Sequence, residues 1–246
     1  MAKIISITSG KGGVGKSTVA VGLAAAYARR GKKALIIEMD LGLRGLDLML
    51  GMENQIVYDL GDVLADRCKP QDAVAISEQL PALSYLAAPS RPVAQLDFEK
   101  LLHCIGLLKR QYDIIVLDMP AGLGLSMAVS QRAADLALIV ATPDPVCIRD
   151  GAKVASMMEE EGFRQYRVFI NRVSRTAIKK SSIHDLDDVI DGVGAPLIGV
   201  LTEDIDLQNA QSKGRFLPES ERSSMVFAAV SRRLDGEYAP LIITRL

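Results

Sequence analysis

The chain has 246 residues, 49% of them hydrophobic and 24% charged, with a formal net charge of −1. That is enough apolar material to bury a core as one domain, and too much for a disordered chain. The near-neutral balance gives no overall basic field for nucleic acid and argues against DNA as a partner.

Residues 3–8 form the first candidate strand, so close to the N-terminus that no secretory leader is expected. It runs into Ser9-Gly10-Lys11-Gly12-Gly13-Val14-Gly15-Lys16-Ser17-Thr18, which satisfies G-x-x-x-x-G-K-[ST], and an apolar helix is predicted over 16–30. A strand-to-helix turn is where phosphates are held, because helix N-terminal amides and the positive end of the helix dipole point at them. Gly10, Gly12, Gly13 and Gly15 let the backbone curl with its N–H groups inward. Lys16 is expected to bridge the β- and γ-phosphates of ATP and Ser17 to offer its hydroxyl to Mg²⁺, with Val14 and Thr18 completing the cradle. Lys11 is a second lysine inside the loop.

Further along, strand 34–39 ends at Glu38-Met39-Asp40, followed by Leu41-Gly42-Leu43-Arg44-Gly45-Leu46-Asp47-Leu48-Met49-Leu50-Gly51. The stretch 66–96, with Pro70, Pro81, Pro89 and Pro92, is the least regular and is expected to hold a surface loop around a short strand at 84–87. A helix at 97–111 leads to strand 113–118, which delivers Asp118-Met119-Pro120-Ala121-Gly122. Strand 136–141 precedes Pro143-Asp144-Pro145 and a helix at 145–161; strand 166–171 ends in Asn171-Arg172. A helix at 181–191, a strand at 196–201 ending before Thr202, and helices near 205–212 and 220–234 complete the pattern. Such alternation specifies an α/β fold, a doubly wound and mostly parallel sheet with helices on both faces. Gly10, Asp40, Asp118, Pro143, Asn171 and Thr202 all fall just past strand ends, so one rim of the sheet collects the chemistry. Asp118, at the tip of an apolar strand, is expected to hold Mg²⁺ through water.

Other polar features read as structural. Cys68, Cys104 and Cys147 are far apart and form no C-x-x-C pair, so reduced thiols are expected rather than disulfides or zinc. His103 and His184 lie on predicted helices away from the rim, and Glu159-Glu160-Glu161 reads as a solvated helix end. Arg172, Arg175, Lys179 and Lys180 cluster without interleaved aromatics, which reads as a solvated loop before a nucleic-acid patch. No run approaches about 18 apolar residues, so no membrane-spanning helix is expected.

The loop sequence KGGVGKS resembles the deviant Walker A loop of the MinD/ParA family of ATPases. The segment 40–51 is similar to that family's first switch in its MinD branch, through Arg44-Gly45-Leu46-Asp47 above all. Asp118 to Gly122 is similar to the second switch, and Pro143-Asp144-Pro145 with Ile148-Arg149-Asp150 to the next βα loop. The resemblance extends to about residue 235 and implies a single P-loop ATPase domain over 1–246, with 237–246 as an atypical tail. It also implies an ATP-dependent homodimer, in which Lys11 reaches the phosphates of the partner subunit and acts like an arginine finger in trans. Asp40 then orients the attacking water, with Lys11, Lys16 and Asp40 as the catalytic set. Asp144 is implied at the ribose and Asn171 and Arg172 at the adenine. Ser17, Glu38, Asp40 and Asp118 are implied around the metal.

Departures from the pattern stand beside the matches. Glu38 replaces the usual aspartate, Met119 a common polar residue, and Thr202 a common proline. The tail Tyr238-Ala239-Pro240-Leu241-Ile242-Ile243-Thr244-Arg245-Leu246 lacks the basic amphipathic helix of the MinD branch, so packing on the protein's own surface is weighed against a lipid surface. The implied function is an ATP hydrolase that regulates division-site placement through partners of the cell-division machinery, working in the cytoplasm or at the inner face of the cell membrane. A flagellar-number regulator and a ParA-like cargo-positioning ATPase share the same machinery. A nucleotide-driven reductase would need a cysteine shortly after the second switch, where Gly122-Leu123-Gly124-Leu125-Ser126 supplies none. A ligase on the same fold would need a second substrate and no Lys11.

Overall fold

Apolar runs without polar alternation become strands buried on both faces, which is the condition of a parallel sheet covered by helices. In the computed structural model these are β1 (Lys3–Thr8), β2 (Ala34–Glu38), β4 (Leu83–Leu86), β5 (Ile114–Asp118), β6 (Leu136–Ala141), β7 (Tyr166–Val173) and β8 (Leu197–Thr202), with the short β3 (Val74–Ile76) at an edge. The structure describes residues 1–40, 44–91, 96–122, 124–174, 183 and 185–242. The helices are α1 (Lys16–Arg29), α2 (Leu46–Leu50), α3 (Leu60–Leu64), α4 (Phe98–Leu108), α5 (Gly124–Ala133), α6 (Pro145–Glu160), α7 (Leu186–Val193), α8 (Ile205–Ser212) and α9 (Arg222–Leu234).

The eight strands form one sheet in the order β3-β4-β2-β5-β1-β6-β7-β8. Every pairing is parallel except β3 with β4, so the expected doubly wound architecture is present. The chain leaves β1 towards β2 on one side and later fills β6 on the other. The strand order therefore reverses beside β1, and a crevice opens at the carboxyl ends of the strands.

Two apolar layers cover the sheet. One holds α1, whose Ala20, Ala24, Ala26 and Ala28 let it lie close to Ile36, Tyr85 and Val116; the other packs α4 on Leu35, Ile37 and Leu117. Small residues also bring α9 against α1: a Cβ on Gly22 would lie 2.2 Å from the Phe227 ring. The Tyr27 hydroxyl ties the two helices together by donating to the Ser231 carbonyl at 3.2 Å and to Asp235 at 3.1 Å.

Several helix starts follow local chemistry. Asp97, Asp144, Asp185 and Asp204 each accept a backbone N–H at the N-terminus of the helix that follows. Of the helix expected at 181–191, Leu186–Val193 is helical after its Asp185 cap, while residues 181, 182 and 184 lie outside the described residues. Part of the irregular stretch 66–96 is regular after all: a 3₁₀ turn at Pro70–Ala73 feeds β3, which adds antiparallel to β4. Pro92 lies outside the described residues. The tail lies on the body of the protein through Ile242, with the Arg233 Nε donating to the Ala239 carbonyl at 2.9 Å and Ile242 packing on the core. Ile243 to Leu246 lie outside the described residues, and among those described no helix is long and apolar enough to cross a membrane.

Candidate nucleotide site

The loop between β1 and α1 has the conformation its glycines permit. Gly13 and Gly15 take φ of 78° and 95°, in the left-handed region that side chains disfavour. At Gly15 space is also lacking, since a Cβ would lie 2.2 Å from the Asn171 Nδ2. A Cβ on Gly10 would meet the Asp150 carbonyl oxygen at 2.4 Å, while Gly12 faces the second switch, 3.8 Å from the Ala121 Cβ. The buried Asn171 amide donates to the Val14 carbonyl at 2.8 Å, and the Ser9 hydroxyl to the Lys11 carbonyl at 2.7 Å, so the curl is braced from β7 and from within. No side chain caps α1, which leaves the first-turn N–H groups of Lys16, Ser17 and Thr18 without intrahelical partners.

Below the loop, the Ser17 hydroxyl donates to the Asp118 Oδ2 at 2.7 Å. The other oxygen, Oδ1, is buried with no hydrogen-bond partner. A buried carboxylate oxygen with an open acceptor side, next to a hydroxyl at a helix N-terminus, is a donor set that suits Mg²⁺, a hard cation that takes oxygen ligands and retains waters. Burial pushes the Asp118 carboxyl up to about 7; the Ser17 hydrogen bond and the Lys16 charge oppose that rise, and Glu38 and Asp40 add to it. Burial lowers the Lys16 ammonium, against the pull of Asp118 and Asp40. These residues, with Arg44, Leu46, Met49 and Met119, surround a cavity of about 200 Å³.

Glu38 lines the same cavity as Ser17, Asp40 and Asp118, and its carboxylate is engaged by protein donors. Its Oε1 accepts from the Gly45 and Leu46 N–H groups at 2.9 and 3.1 Å, and its Oε2 from the Tyr85 hydroxyl at 2.5 Å and the Ala88 N–H at 3.3 Å. Asp40 lines the cavity, and the Met39 N–H before it donates to the Asp118 carbonyl at 2.9 Å. At the rim, the Lys11 ammonium stands 3.7 Å from the Asp144 carboxylate, each side chain about half exposed. Asp144 also caps α6, accepting from the Cys147 N–H at 2.9 Å. Arg172 is exposed, at φ 55°, where the register of β7 against β8 is irregular.

The structure therefore gathers Gly10 to Thr18, Asp40 and Asp118 into one crevice, sets Lys11 and Asp144 on its rim, and gives Asn171 a bracing role. Leu41 to Leu43, Leu123, Arg175, Lys179, Lys180 and His184 lie outside the described residues. His103 is exposed on α4, Glu159 to Glu161 end α6 in solvent, and the three cysteines are free thiols. Sequence reasoning missed Tyr85, whose only signal was a lone hydroxyl in a buried strand. It also missed the Arg44–Asp47 ion pair at 2.8 Å, a spacing of three on a helix start.

Comparison with known proteins agrees with this geometry. Residues 5–217 match the family model CbiA, the CobQ/CobB/MinD/ParA nucleotide binding domain. The septum site-determining protein MinD of Synechocystis is 37% identical over 246 residues, covering 98% of this chain and 92% of that protein. Its counterpart from Bacillus subtilis is 34% identical with the same coverage. Among solved structures, the MinC:MinD cell division protein complex of Aquifex aeolicus superposes with a TM-score of 0.89 at 36% identity, covering 98% of this chain and 99% of that one. MinD of Pyrococcus horikoshii, complexed with Mg-ADP, gives a TM-score of 0.80 at 28% identity, with 96% of each chain covered. A phosphate-loop sequence with a second lysine, a part-buried Asp118–Ser17 hydrogen bond beneath it and near full-length likeness converge, and the chain belongs to the MinD group of the CobQ/CobB/MinD/ParA nucleotide-binding family.

Proposed function

We propose that residues 1–246 act as one ATPase domain that dimerises on ATP and Mg²⁺ and serves as a spatial switch for septum placement, handing its nucleotide state to a protein partner of the division machinery. The observation that carries this is the pairing of Lys11 with Asp144 at the open rim. An exposed ion pair 3.7 Å long is worth about 0–1 kcal/mol, so Lys11 is held loosely and can exchange Asp144 for a better anion. The partner subunit's bound phosphates are that anion. Lys16 and the first-turn amides of α1 bind the β- and γ-phosphates, Asn171 keeps the loop curled, and Arg172 and Asp144 take the base and ribose. Ser17 and Asp118 hold Mg²⁺, which when bound supplies charge neutralisation on the β- and γ-oxygens. Asp40 positions the water. It acts by orientation of that water. The MinC:MinD cell division protein complex of the Aquifex aeolicus relative supports a division protein as the partner.

The test is ATP hydrolysis per chain measured over a hundredfold range of protein concentration. A rate per chain that rises with concentration and then saturates is expected of a site completed by a second copy. A rate per chain that stays constant over the whole range overturns the trans role of Lys11.

A further inference from the structure

Position 38 is where the chain departs from the usual aspartate, and the structure gives the longer side chain a separate task. In the register of β2 with β4, Ile36 lies opposite Tyr85, so Glu38, two residues on, shares the Tyr85 face of the sheet. In the register of β2 with β5, Glu38 lies opposite Asp118. Two buried carboxylates side by side repel, and they are kept apart in function by their partners. Asp118 turns to Ser17 and retains a buried oxygen with no partner. Glu38 turns the other way and receives four donors, two on each oxygen, from Gly45, Leu46, Tyr85 and Ala88. Four donors fill the lone-pair positions of a carboxylate, so no acceptor side remains for a metal or its water.

Those donors come from two separate parts of the chain. Gly45 and Leu46 begin α2, a helix of five residues with no side-chain cap of its own. A helix that short does not hold itself in water, and an anion at its N-terminus is the cheapest support available. Tyr85 lies in β4, and Ala88 in the fully buried segment just past its end. Burial and the neighbouring Glu38 charge hold the Tyr85 phenol well above its ordinary range, so it remains a donor at every working pH. Between the two ends lies Asp40, with the Met39 N–H fixed on the Asp118 carbonyl before it and Gly45 fixed on Glu38 after it.

We propose that Glu38 is a positioning residue for hydrolysis: it clasps the first switch to β4 through Gly45, Leu46, Tyr85 and Ala88, and so sets where Asp40 stands, without holding the metal. An aspartate at this position is one methylene too short to serve both sides at once. This rests on the ATPase reading above for its kinetic readout, and on the clasp itself for its structural one.

The experiment uses the full chain with Glu38→Asp, Tyr85→Phe and, as the metal control, Ser17→Ala. Two quantities are read: the Mg²⁺ concentration for half-maximal turnover with kcat at saturation, and amide hydrogen exchange of the peptide spanning residues 44–50. The clasp predicts that Tyr85→Phe and Glu38→Asp both speed exchange of that peptide about tenfold or more and lower kcat by a similar factor, since misplacing a reacting group by about 1 Å costs up to about a hundredfold. Their Mg²⁺ half-saturation stays within about twofold of the parent, while Ser17→Ala raises it at least about tenfold. The proposal is overturned if Glu38→Asp shifts the Mg²⁺ half-saturation as Ser17→Ala does, or if Tyr85→Phe exchanges and turns over like the parent. If the parent hydrolyses no ATP, the ATPase reading falls, and exchange at residues 44–50 still decides the clasp.

Discussion

Replacing Asp118 by asparagine tests the electrostatics of the metal corner in the absence of metal. The carboxyl is pushed from 3.8 up to about 7, chiefly by burial. A group whose native pKa is raised in this direction keeps its proton in the folded chain while the unfolded chain has lost it, so stability falls as pH rises from about 4 to about 7. At about 1.4 kcal/mol per tenfold, the interval is on the order of 4 kcal/mol. Asparagine keeps the shape and an acceptor for the Ser17 hydroxyl but carries no charge to bury. In EDTA, Asp118→Asn should therefore match the parent near pH 4.5 and exceed it at pH 7.5 by an amount approaching that figure, roughly 10 °C in Tm for a chain of this size. Urea or thermal unfolding of both proteins at the two pH values measures it, because contributions of other titrating groups cancel in the difference. Adding Mg-ADP should reverse the order, stabilising the parent and leaving the variant where it was. A gap of the same size at pH 4.5 and 7.5, or none at either, would refute the reasoning.

The loop and its rim give three more outcomes. Gly15→Ala combines φ 95° with a Cβ 2.2 Å from Asn171 and should abolish nucleotide binding in equilibrium dialysis, whereas Gly13→Ala, at φ 78° with open space around it, should cost only about 1 kcal/mol of stability by urea titration. Asn171→Ala leaves the Val14 carbonyl without its donor and should destabilise the chain by about 1–3 kcal/mol while weakening ADP affinity in calorimetry. Lys11→Ala removes only an exposed pair from the monomer, so its unfolding midpoint should stay within about 0.5 kcal/mol of the parent while turnover falls by about 10³ or more.

Much of the fold was legible because its strands announce themselves: β6 is apolar throughout, β2 and β5 are apolar up to a terminal carboxylate, β1 has an isoleucine-rich centre broken only by Ser6, and each motif sits where such a run stops. The loop was legible for the same reason, its chemistry lying within ten consecutive residues. Where contacts join distant segments the sequence is silent. The Glu38–Tyr85 bond spans 47 positions, and it depends on which way a side chain turns at the end of a strand. Helix α5 was missed because Gly124, Ser126 and Ser130 break its apolar face. Met127 and Val129 pack it into the core, and its serines add polar contacts, the Ser130 hydroxyl donating to the Ser6 hydroxyl at 2.8 Å and the Ser126 hydroxyl to the Pro120 carbonyl at 2.9 Å. Helix α3 could have been read from the aspartates at 59 and 62, which cap one another's N–H groups, but five residues give no periodicity to see. Strand β3, three residues long at a sheet edge, forms only because β4 offers it a partner.

In the proposed cycle ATP assembles two chains through Lys11, with Asp40 needed for hydrolysis and not for assembly. Light scattering of purified Asp40→Ala with ADP and with ATP-Mg²⁺, each with and without anionic liposomes, tests it most directly. A mass that doubles with ATP alone is the predicted result, and sedimentation with liposomes would place the dimer at the membrane surface. A monomer under both nucleotides, or a dimer indifferent to which is bound, would contradict the account.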